Sequence, residues 1–189
     1  MSPRGVVLFP GAGSSSEHPA LLAIERAMQP LPVGRFDFPY RKAGKKFPDK
    51  TEVLVACVVQ EVNAFARTVG CATAELVIGG RSMGGRMCSM AIAEGLQVAG
   101  LVCIGYPLHP PKKPEQLRTA HLPQVSVPSL FVSATNDEFA TPDELRRELL
   151  VMPNAPRIEF IDGGRHELKG KDEHVAKLIG EWTVSYTHL

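Results

Sequence analysis

The amino-acid sequence predicts an α/β fold, a single-domain three-layer α/β/α sandwich built around a parallel sheet. Short β-rich runs alternate with helical patterns along the chain, which is typical of a parallel sheet covered on both faces. The third, fourth and fifth of these runs are almost continuously apolar, as expected of central strands buried on both faces. A length of 189 residues suits one domain.

Short runs rich in β-branched and aromatic residues are the predicted strands. The six runs are residues 6–9, 35–38, 75–80, 101–106, 129–134 and 157–161. Helices are predicted for residues 19–28, from Thr51 onward, after residue 82 as far as Gly95, and for residues 172–182. A further helix is expected to have Thr141 as its N-cap and Pro142 in its first position.

Composition and charge exclude several classes of protein. The formal net charge is +1, so no overall basicity points to a nucleic acid or a membrane surface as partner. No apolar run approaches the roughly 20 residues that span a bilayer, and the first residues lack the apolar segment of a secretory signal. The 4 cysteines are far apart and form no C-x-x-C pair, which is typical of buried thiols in a cytoplasmic protein. We therefore expect a cytoplasmic location.

Residues 107–128 form the longest segment with no predicted helix or strand. Irregular segments of this length inside a compact domain tend to be functional. This segment is too short to form a separate cap domain, so an active site beneath it should be fairly open.

The segment GRSMG, residues 80–84, follows a predicted strand and precedes a predicted helix. It matches the G-x-S-x-G pattern, in which a serine sits in strained backbone and the flanking glycines avoid collisions of Cβ atoms. Ser82 is therefore a candidate nucleophile. The alternative is a purely structural turn, because the pattern is short enough to occur by chance.

A nucleophilic serine needs a histidine as base and a carboxylate to orient that histidine. Asp137 directly follows the fifth predicted strand, and His166 directly follows the sixth. Because the carboxyl ends of parallel strands lie at one edge of a sheet, both side chains should converge with Ser82. Glu138, next to Asp137, is the alternative acid, and His166 could also be an ordinary surface histidine.

An oxyanion hole needs two backbone N–H groups directed at the developing negative charge. Met83, which follows the serine at a helix N-terminus, should supply one of them. The other should come from the loop after the first strand, with Ala12 as the best candidate. Gly11 and Gly13 on either side allow bare backbone to approach a substrate, so we include them among candidate substrate-binding residues.

The loop after the first strand also suggests a rival function. The segment GAGSSS between a strand and a helix, with Asp37 at the end of the next strand, imitates a dinucleotide-binding fingerprint. The third glycine or alanine of that fingerprint is replaced by Ser16, and Asp37 comes later than usual. Nucleotide binding also leaves the arrangement of Ser82, Asp137 and His166 without an explanation.

Basic residues are frequent in the loops near the predicted strand ends. They are Arg41, Lys42, Lys45, Lys46, Arg81, Arg86, Lys112, Lys113 and Arg118. Some of them could bind a carboxylate or phosphate of the substrate, Arg81 in particular. The alternative is that they are solvated, with Arg81 forming an ion pair to an acidic residue such as Glu17.

The remaining histidines are expected to be mostly solvated, although His18 and His109 are candidates to line the pocket. No two histidines or carboxylates have metal-ligand spacing, which disfavours a bound metal.

The segments LFPGAG, FDFPYR, GGRSMGGRM, GYPLHPPKKPEQLRTAHL and DGGRHELK together resemble a known family. They are similar to α/β-hydrolases of the dienelactone-hydrolase-like branch, specifically the small hydrolases grouped with testis-expressed and NSL-complex-subunit-type proteins. The resemblance implies a minimal α/β-hydrolase fold without a cap domain and with six strands in the order 2-1-3-4-5-6. It also implies a serine-hydrolase triad of Ser82, Asp137 and His166, with no metal or organic cofactor.

The chain departs from the family pattern at both ends. Pro10 stands where related proteins usually have histidine, and we expect the sheet to lack the antiparallel strands that begin larger hydrolases. The final residues VSYTHL resemble translated adapter sequence, so we assign the hydrolase domain to residues 1–183 and treat residues 184–189 as a tail.

The predicted function is hydrolysis of a small ester or thioester, with or without a negative charge on the substrate, through an acyl-enzyme. A non-catalytic protein-interaction module that retains the fold is the alternative, because fold alone does not establish activity.

Overall fold

The computed structural model of the protein describes residues 2–185 and contains a fully parallel six-stranded sheet. The strand order is β2-β1-β3-β4-β5-β6, so the predicted fold class and strand order are confirmed. The strands are β1 (Gly5–Phe9), β2 (Val33–Arg35), β3 (Leu76–Arg81), β4 (Gly100–Ile104), β5 (Ser129–Ala134) and β6 (Arg157–Ile161).

Helices connect the strands and cover both faces of the sheet. They are α1 (Pro19–Ala27), α2 (Pro39–Lys42), α3 (Thr51–Val69), α4 (Met83–Ala93), α5 (Pro142–Leu149) and α6 (Asp172–Ser185), with short 3-10 turns at Thr73–Glu75 and Leu122–Gln124. Thr141 caps α5 as predicted, and its hydroxyl and backbone N–H form a reciprocal capping box with Glu144. Within residues 2–185, no helix has both the length and the apolar character needed to cross a membrane.

Two hydrophobic cores lie on opposite faces of the sheet. Helices α1 and α6 pack together on one face, and α3 and α4 pack together on the other. Alternation along β5 shows how a strand serves both layers: Leu130 and Val132 join the core beneath α1 and α6, whereas Phe131 joins the other. The near-continuous apolar strands of the sequence are explained by this burial on both faces.

The second strand is shorter and earlier than predicted. The β1–β2 ladder ends at Arg35, apart from the N–H of Phe36, which still donates to the carbonyl of Leu8 (3.1 Å). Phe38 then precedes the proline that begins α2, and its ring packs against Phe9 with centroids 5.3 Å apart. The apolar residues that predicted a strand therefore fill the core from a loop.

Other boundaries shift by a few residues. Strand β4 ends at Ile104 rather than at residue 106, because Gly105 has a φ of 58°, which turns the chain out of the sheet. Helix α6 continues through Val184 and Ser185, past the predicted end of the domain. The rest of the predicted tail, residues 186–189, lies outside the described residues.

Candidate active site

Ser82 occupies a sharp turn between β3 and α4. Its φ of 48° and ψ of −115° lie far from the helical and extended regions, and such backbone costs about 1–3 kcal/mol unless the surroundings enforce it. The surroundings do so here: the N–H of Ser82 donates to the carbonyl of Ile104 (2.7 Å), and its carbonyl accepts from the N–H of Arg86 (3.1 Å). The turn presents the serine at the carboxyl edge of the sheet.

Glycines allow this turn to approach the first strand. A Cβ atom on Gly80 would lie 2.1 Å from the carbonyl oxygen of Phe9, and one on Gly84 would lie 2.2 Å from the same oxygen. These separations are far below van der Waals contact. The glycine requirement that the sequence motif suggested thus has a specific cause, which is the close packing of the turn on the end of β1.

Ser82, His166 and Asp137 form a hydrogen-bonded chain. The Oγ of Ser82 is 2.8 Å from the Nε2 of His166, and the Nδ1 of His166 is 2.9 Å from Oδ2 and 3.0 Å from Oδ1 of Asp137. Because both carboxylate oxygens are acceptors, Nδ1 carries the proton and Nε2 accepts from the serine hydroxyl. The structure therefore brings together the three side chains that the sequence placed at separate strand ends.

The carboxylate of Asp137 is completely buried. Its Oδ1 accepts from the N–H of Phe139 (2.8 Å), and its Oδ2 lies 3.4 Å from the hydroxyl of Ser133. Phe139 also packs its ring against His166, with centroids 4.1 Å apart. Glu138, the alternative acid, is exposed and forms no hydrogen bond or ion pair with the histidine, whose Nδ1 is bonded to Asp137. No signal in the sequence pointed to Phe139.

The loop after β1 lies beside the serine. A Cβ atom on Gly11 would be 3.6 Å from the Cβ of Ser82, and Gly11, Ala12, Gly13 and Met83 line the same cavity as the serine hydroxyl. Met83 is the first residue of α4, so its N–H has no acceptor within the helix.

A buried tyrosine anchors this loop. The hydroxyl of Tyr40, in the short helix α2, donates to the carbonyl of Ala12 (2.7 Å). This bond fixes one peptide unit of the loop that faces Ser82. Spacing and composition gave no indication of the contact, because the two residues are 28 positions apart.

Asp37 stabilises the other end of the same loop. Its carboxylate accepts from the N–H (2.8 Å) and the hydroxyl (3.1 Å) of Ser16. Ser16 and Asp37, two residues of the pattern that imitated a dinucleotide fingerprint, are therefore hydrogen-bonded to each other. This contact gives Asp37 a structural role in the loop.

Arg81 is buried next to the loop that carries His166. Its Nη2 donates to the carbonyl of His166 (3.2 Å) and to the carboxylate of Glu167 (3.0 Å). Arg81 thus forms the predicted ion pair with an acidic residue, but the partner is Glu167, whereas Glu17, the residue named as an example, pairs with Arg35 (2.8 Å). Arg81 therefore ties the end of β3 to the backbone of the residue that bonds Ser82.

The cavity over Ser82 has a volume of about 730 Å³ and lies at the carboxyl ends of the strands. Of the basic residues that the sequence placed near strand ends, Arg81, Arg86 and Arg118 line it. Lys45, Lys46, Lys112 and Lys113 are exposed, and Lys42 forms an ion pair with Glu61 (2.6 Å).

His109 does not reach this cavity wall. It is buried, its Nδ1 lies 2.8 Å from the carbonyl of Pro110, and its Nε2 lies 3.6 Å from the carboxylate of Glu144. The structure thus places His109 against the start of α5, where it supports the loop that precedes that helix.

The expectation that the other histidines are mostly solvated is wrong in the described part of the chain. His121 is half-buried in a hydrogen-bond network. His18, a candidate to line the pocket, is not among the residues that line the cavity; it is half-buried and caps α1 by accepting the N–H of Ala20 (3.2 Å). Burial and the charge of Arg81 lower the pKa of His18. His174 is exposed, and His188 lies outside the described residues.

The fold and the serine turn define the class of protein. The chain belongs to the α/β-hydrolase family, because a family model described as an alpha/beta hydrolase domain matches residues 3–183.

Solved structures share this fold at low sequence identity. The chain is similar to dienelactone hydrolase from Anabaena variabilis ATCC 29413, with 21% identity, a TM-score of 0.76, and coverage of 97% of this chain and 87% of that chain. It is also similar to Est1E from Butyrivibrio proteoclasticus, with 13% identity, a TM-score of 0.78 and coverage of 100% and 90%. A monoacylglycerol lipase from Paleococcus ferrophilus aligns with 17% identity, a TM-score of 0.71 and coverage of 98% and 96%.

Proposed function

We propose that this protein is a serine hydrolase that cleaves a small ester or thioester through an acyl-enzyme on Ser82. The single observation that carries the proposal is the hydrogen-bonded chain from Ser82 through His166 to the buried Asp137. Membership of the α/β-hydrolase family and the similar structures of a dienelactone hydrolase and a monoacylglycerol lipase support the same reaction class.

In the proposed reaction, Nε2 of His166 takes the proton of the Ser82 hydroxyl as Oγ attacks the substrate carbonyl carbon. The N–H groups of Met83 and Ala12 stabilise the oxyanion of the tetrahedral intermediate. The bond to the leaving group then breaks, and His166 returns the proton to the leaving oxygen or sulfur. Water, deprotonated by the same histidine, then attacks the acyl carbon. The bond from that carbon to Oγ breaks, the carboxylic acid leaves, and His166 returns the proton to Oγ of Ser82.

Labelling with a fluorophosphonate probe tests the proposed nucleophile directly. The wild-type protein should form a covalent adduct on Ser82, and Ser82→Ala should form none. Thermal unfolding of both proteins checks that the variant is folded. If the folded wild-type protein takes up no probe, the hydrolase proposal is wrong and a non-catalytic module is the better explanation.

Tyr40→Phe should slow labelling of Ser82 by about tenfold, because the loop that carries Ala12 loses its buried anchor. Removing one oxyanion donor outright costs about a hundredfold or more, and a loosened donor should cost less. The free energy of unfolding should fall by about 1 kcal/mol, the usual worth of one hydrogen bond. The measurements are the labelling rate constant and urea unfolding. An unchanged labelling rate would show that the tyrosine is only part of the core.

A further inference from the structure

Arg86 and Arg118 approach the candidate active site from two different segments. Arg86 lies one helical turn after Ser82 on α4, and its backbone N–H bonds the serine carbonyl. Arg118 comes from the long segment between β4 and β5. Both residues line the cavity that contains the Ser82 hydroxyl.

Neither guanidinium has an anionic partner within residues 2–185. Neither arginine takes part in an ion pair there. The Nε of Arg86 is fully buried and has no hydrogen-bond partner. Burial and the charge of Arg86 lower the pKa of Arg118, so the two cations repel each other. A partly buried charge without a counter-charge is costly, and an anion bound in the cavity would offset that cost through its opposite charge.

A buried network holds the backbone of both arginines. The hydroxyl of Ser89 donates to the carbonyl of Arg86 (2.7 Å), and the hydroxyl of Tyr106 donates to the carbonyl of Arg118 (2.9 Å). His121 joins the two halves, because its Nε2 lies 2.8 Å from the oxygen of Ser89 and 3.4 Å from that of Tyr106.

The protonation state of His121 adds no positive charge to the network that holds the two arginines. Both hydroxyl protons already point to carbonyl oxygens, so Nε2 of His121 is the donor to Ser89. Burial, with Arg86 as a smaller contribution, lowers the pKa of His121 to about 4. The ring is therefore neutral at pH 7 and adds no third positive charge between the arginines.

We propose that Arg86 and Arg118 form an anion subsite in the active-site cavity, and that the substrate is an ester or thioester with a carboxylate or phosphate a few bonds from the scissile carbonyl. This inference rests on the proposed function and specifies its substrate class. The backbone of Arg86 lies about one helical turn after Ser82, and both residues line one cavity, so the anion and the scissile carbonyl belong to the same small molecule. Planar guanidinium groups match both anions in geometry.

The carboxylates that share the cavity do not fill the subsite. They are Asp49, Glu138 and Glu167. Glu167 is bonded to Arg81, and Glu138 is exposed. Neither Asp49 nor Glu138 forms an ion pair with Arg86 or Arg118. A bound anion would therefore meet two unpaired guanidinium groups.

Two esters of equal chain length test the proposal in the wild-type enzyme. Mono-4-nitrophenyl glutarate ends in a carboxylate, whereas 4-nitrophenyl valerate ends in a methyl group. The kcat/KM ratio of the charged to the neutral ester should be at least tenfold in favour of the charged one. Arg86→Gln and Arg118→Gln should each bring the ratio towards one, and Arg67→Gln, an exposed arginine on α3, should leave it unchanged. A wild-type ratio of one, or a ratio that persists in both variants, would overturn the proposal.

A binding experiment separates this proposal from the hydrolase proposal. Ser82→Ala protein is titrated calorimetrically with glutarate and, separately, with inorganic phosphate, and the tighter of the two identifies the preferred anion. Arg118→Gln, or Arg118→Lys if the first variant is unstable, should weaken that binding at least tenfold, and Arg67→Gln should not. Absence of binding by both anions, or equal binding in all variants, would refute the subsite. Neither result depends on whether Ser82 reacts with a fluorophosphonate.

Discussion

Asp137→Asn should lower the rate constant of fluorophosphonate labelling at Ser82 by about 10⁴-fold at neutral pH, the size of effect expected when the orienting carboxylate is replaced. The carboxylate of Asp137 is fully buried and meets Nδ1 of His166 at 2.9 Å. An asparagine can still accept the N–H of Phe139, but its NH₂ group must then face the imidazole. The ring would change tautomer, and Nε2 would carry a proton instead of accepting one from the serine.

A matched substitution at the neighbouring carboxylate distinguishes the two candidate acids. Glu138→Gln removes an exposed charge that forms no hydrogen bond or ion pair with His166, so the labelling rate should stay within about twofold of wild type. The melting temperatures of both variants should be measured to separate loss of chemistry from loss of fold. A large loss in Glu138→Gln with little change in Asp137→Asn would make Glu138 the functional acid.

The fold class and the three central residues could be predicted because they depend on local signals. Parallel strands buried on both faces give apolar runs that are easy to recognise, and the carboxyl ends of such strands meet at one edge. Ser82, Asp137 and His166 each directly follow a strand, or nearly so, and their convergence follows from topology alone.

The partners of Arg81 and Tyr40 could not be predicted, because they depend on which loops meet across the sheet edge. Arg81 contacts a residue 86 positions away, and Tyr40 contacts one 28 positions away. From the sequence, Glu17 was as suitable a partner for Arg81 as Glu167. In the structure, Glu17 forms an ion pair with Arg35 on the edge strand β2 instead.

The same limit applies to the network beneath Arg86 and Arg118. The sequence showed both arginines among several basic residues and gave no reason to separate them from the exposed lysines. Two observations distinguish these arginines from the exposed lysines. The Nε of Arg86 is buried, and the hydroxyl groups of Ser89 and Tyr106 hold the backbone carbonyls of Arg86 and Arg118. Ser89 and His121 carry no motif, so only the packing of α4 against the segment after β4 reveals their contact.

Gly84→Ala should destabilise the fold by about 3 kcal/mol or more, although alanine is the better helix former by about 1 kcal/mol. The added methyl group would lie 2.2 Å from the carbonyl oxygen of Phe9 and 2.7 Å from that of Pro10, so backbone must move. For a domain of this size, the melting temperature should fall by about 10 °C. The movement would also displace the loop after β1 from Ser82 and slow fluorophosphonate labelling.

Gly180→Ala is the matched control for this substitution, because it replaces another helical glycine. A Cβ atom at Gly180, in α6, meets nothing within 4 Å, so only the gain in helix propensity remains. Its melting temperature should equal or exceed that of wild type, and Ser82 should be labelled at the wild-type rate. If both alanine variants were equally stable, the close packing of α4 on the end of β1 would not be what requires glycine in the serine turn. A lower melting temperature for Gly84→Ala, together with an equal or higher one for Gly180→Ala, would show that the carbonyl of Phe9 is what requires glycine at position 84.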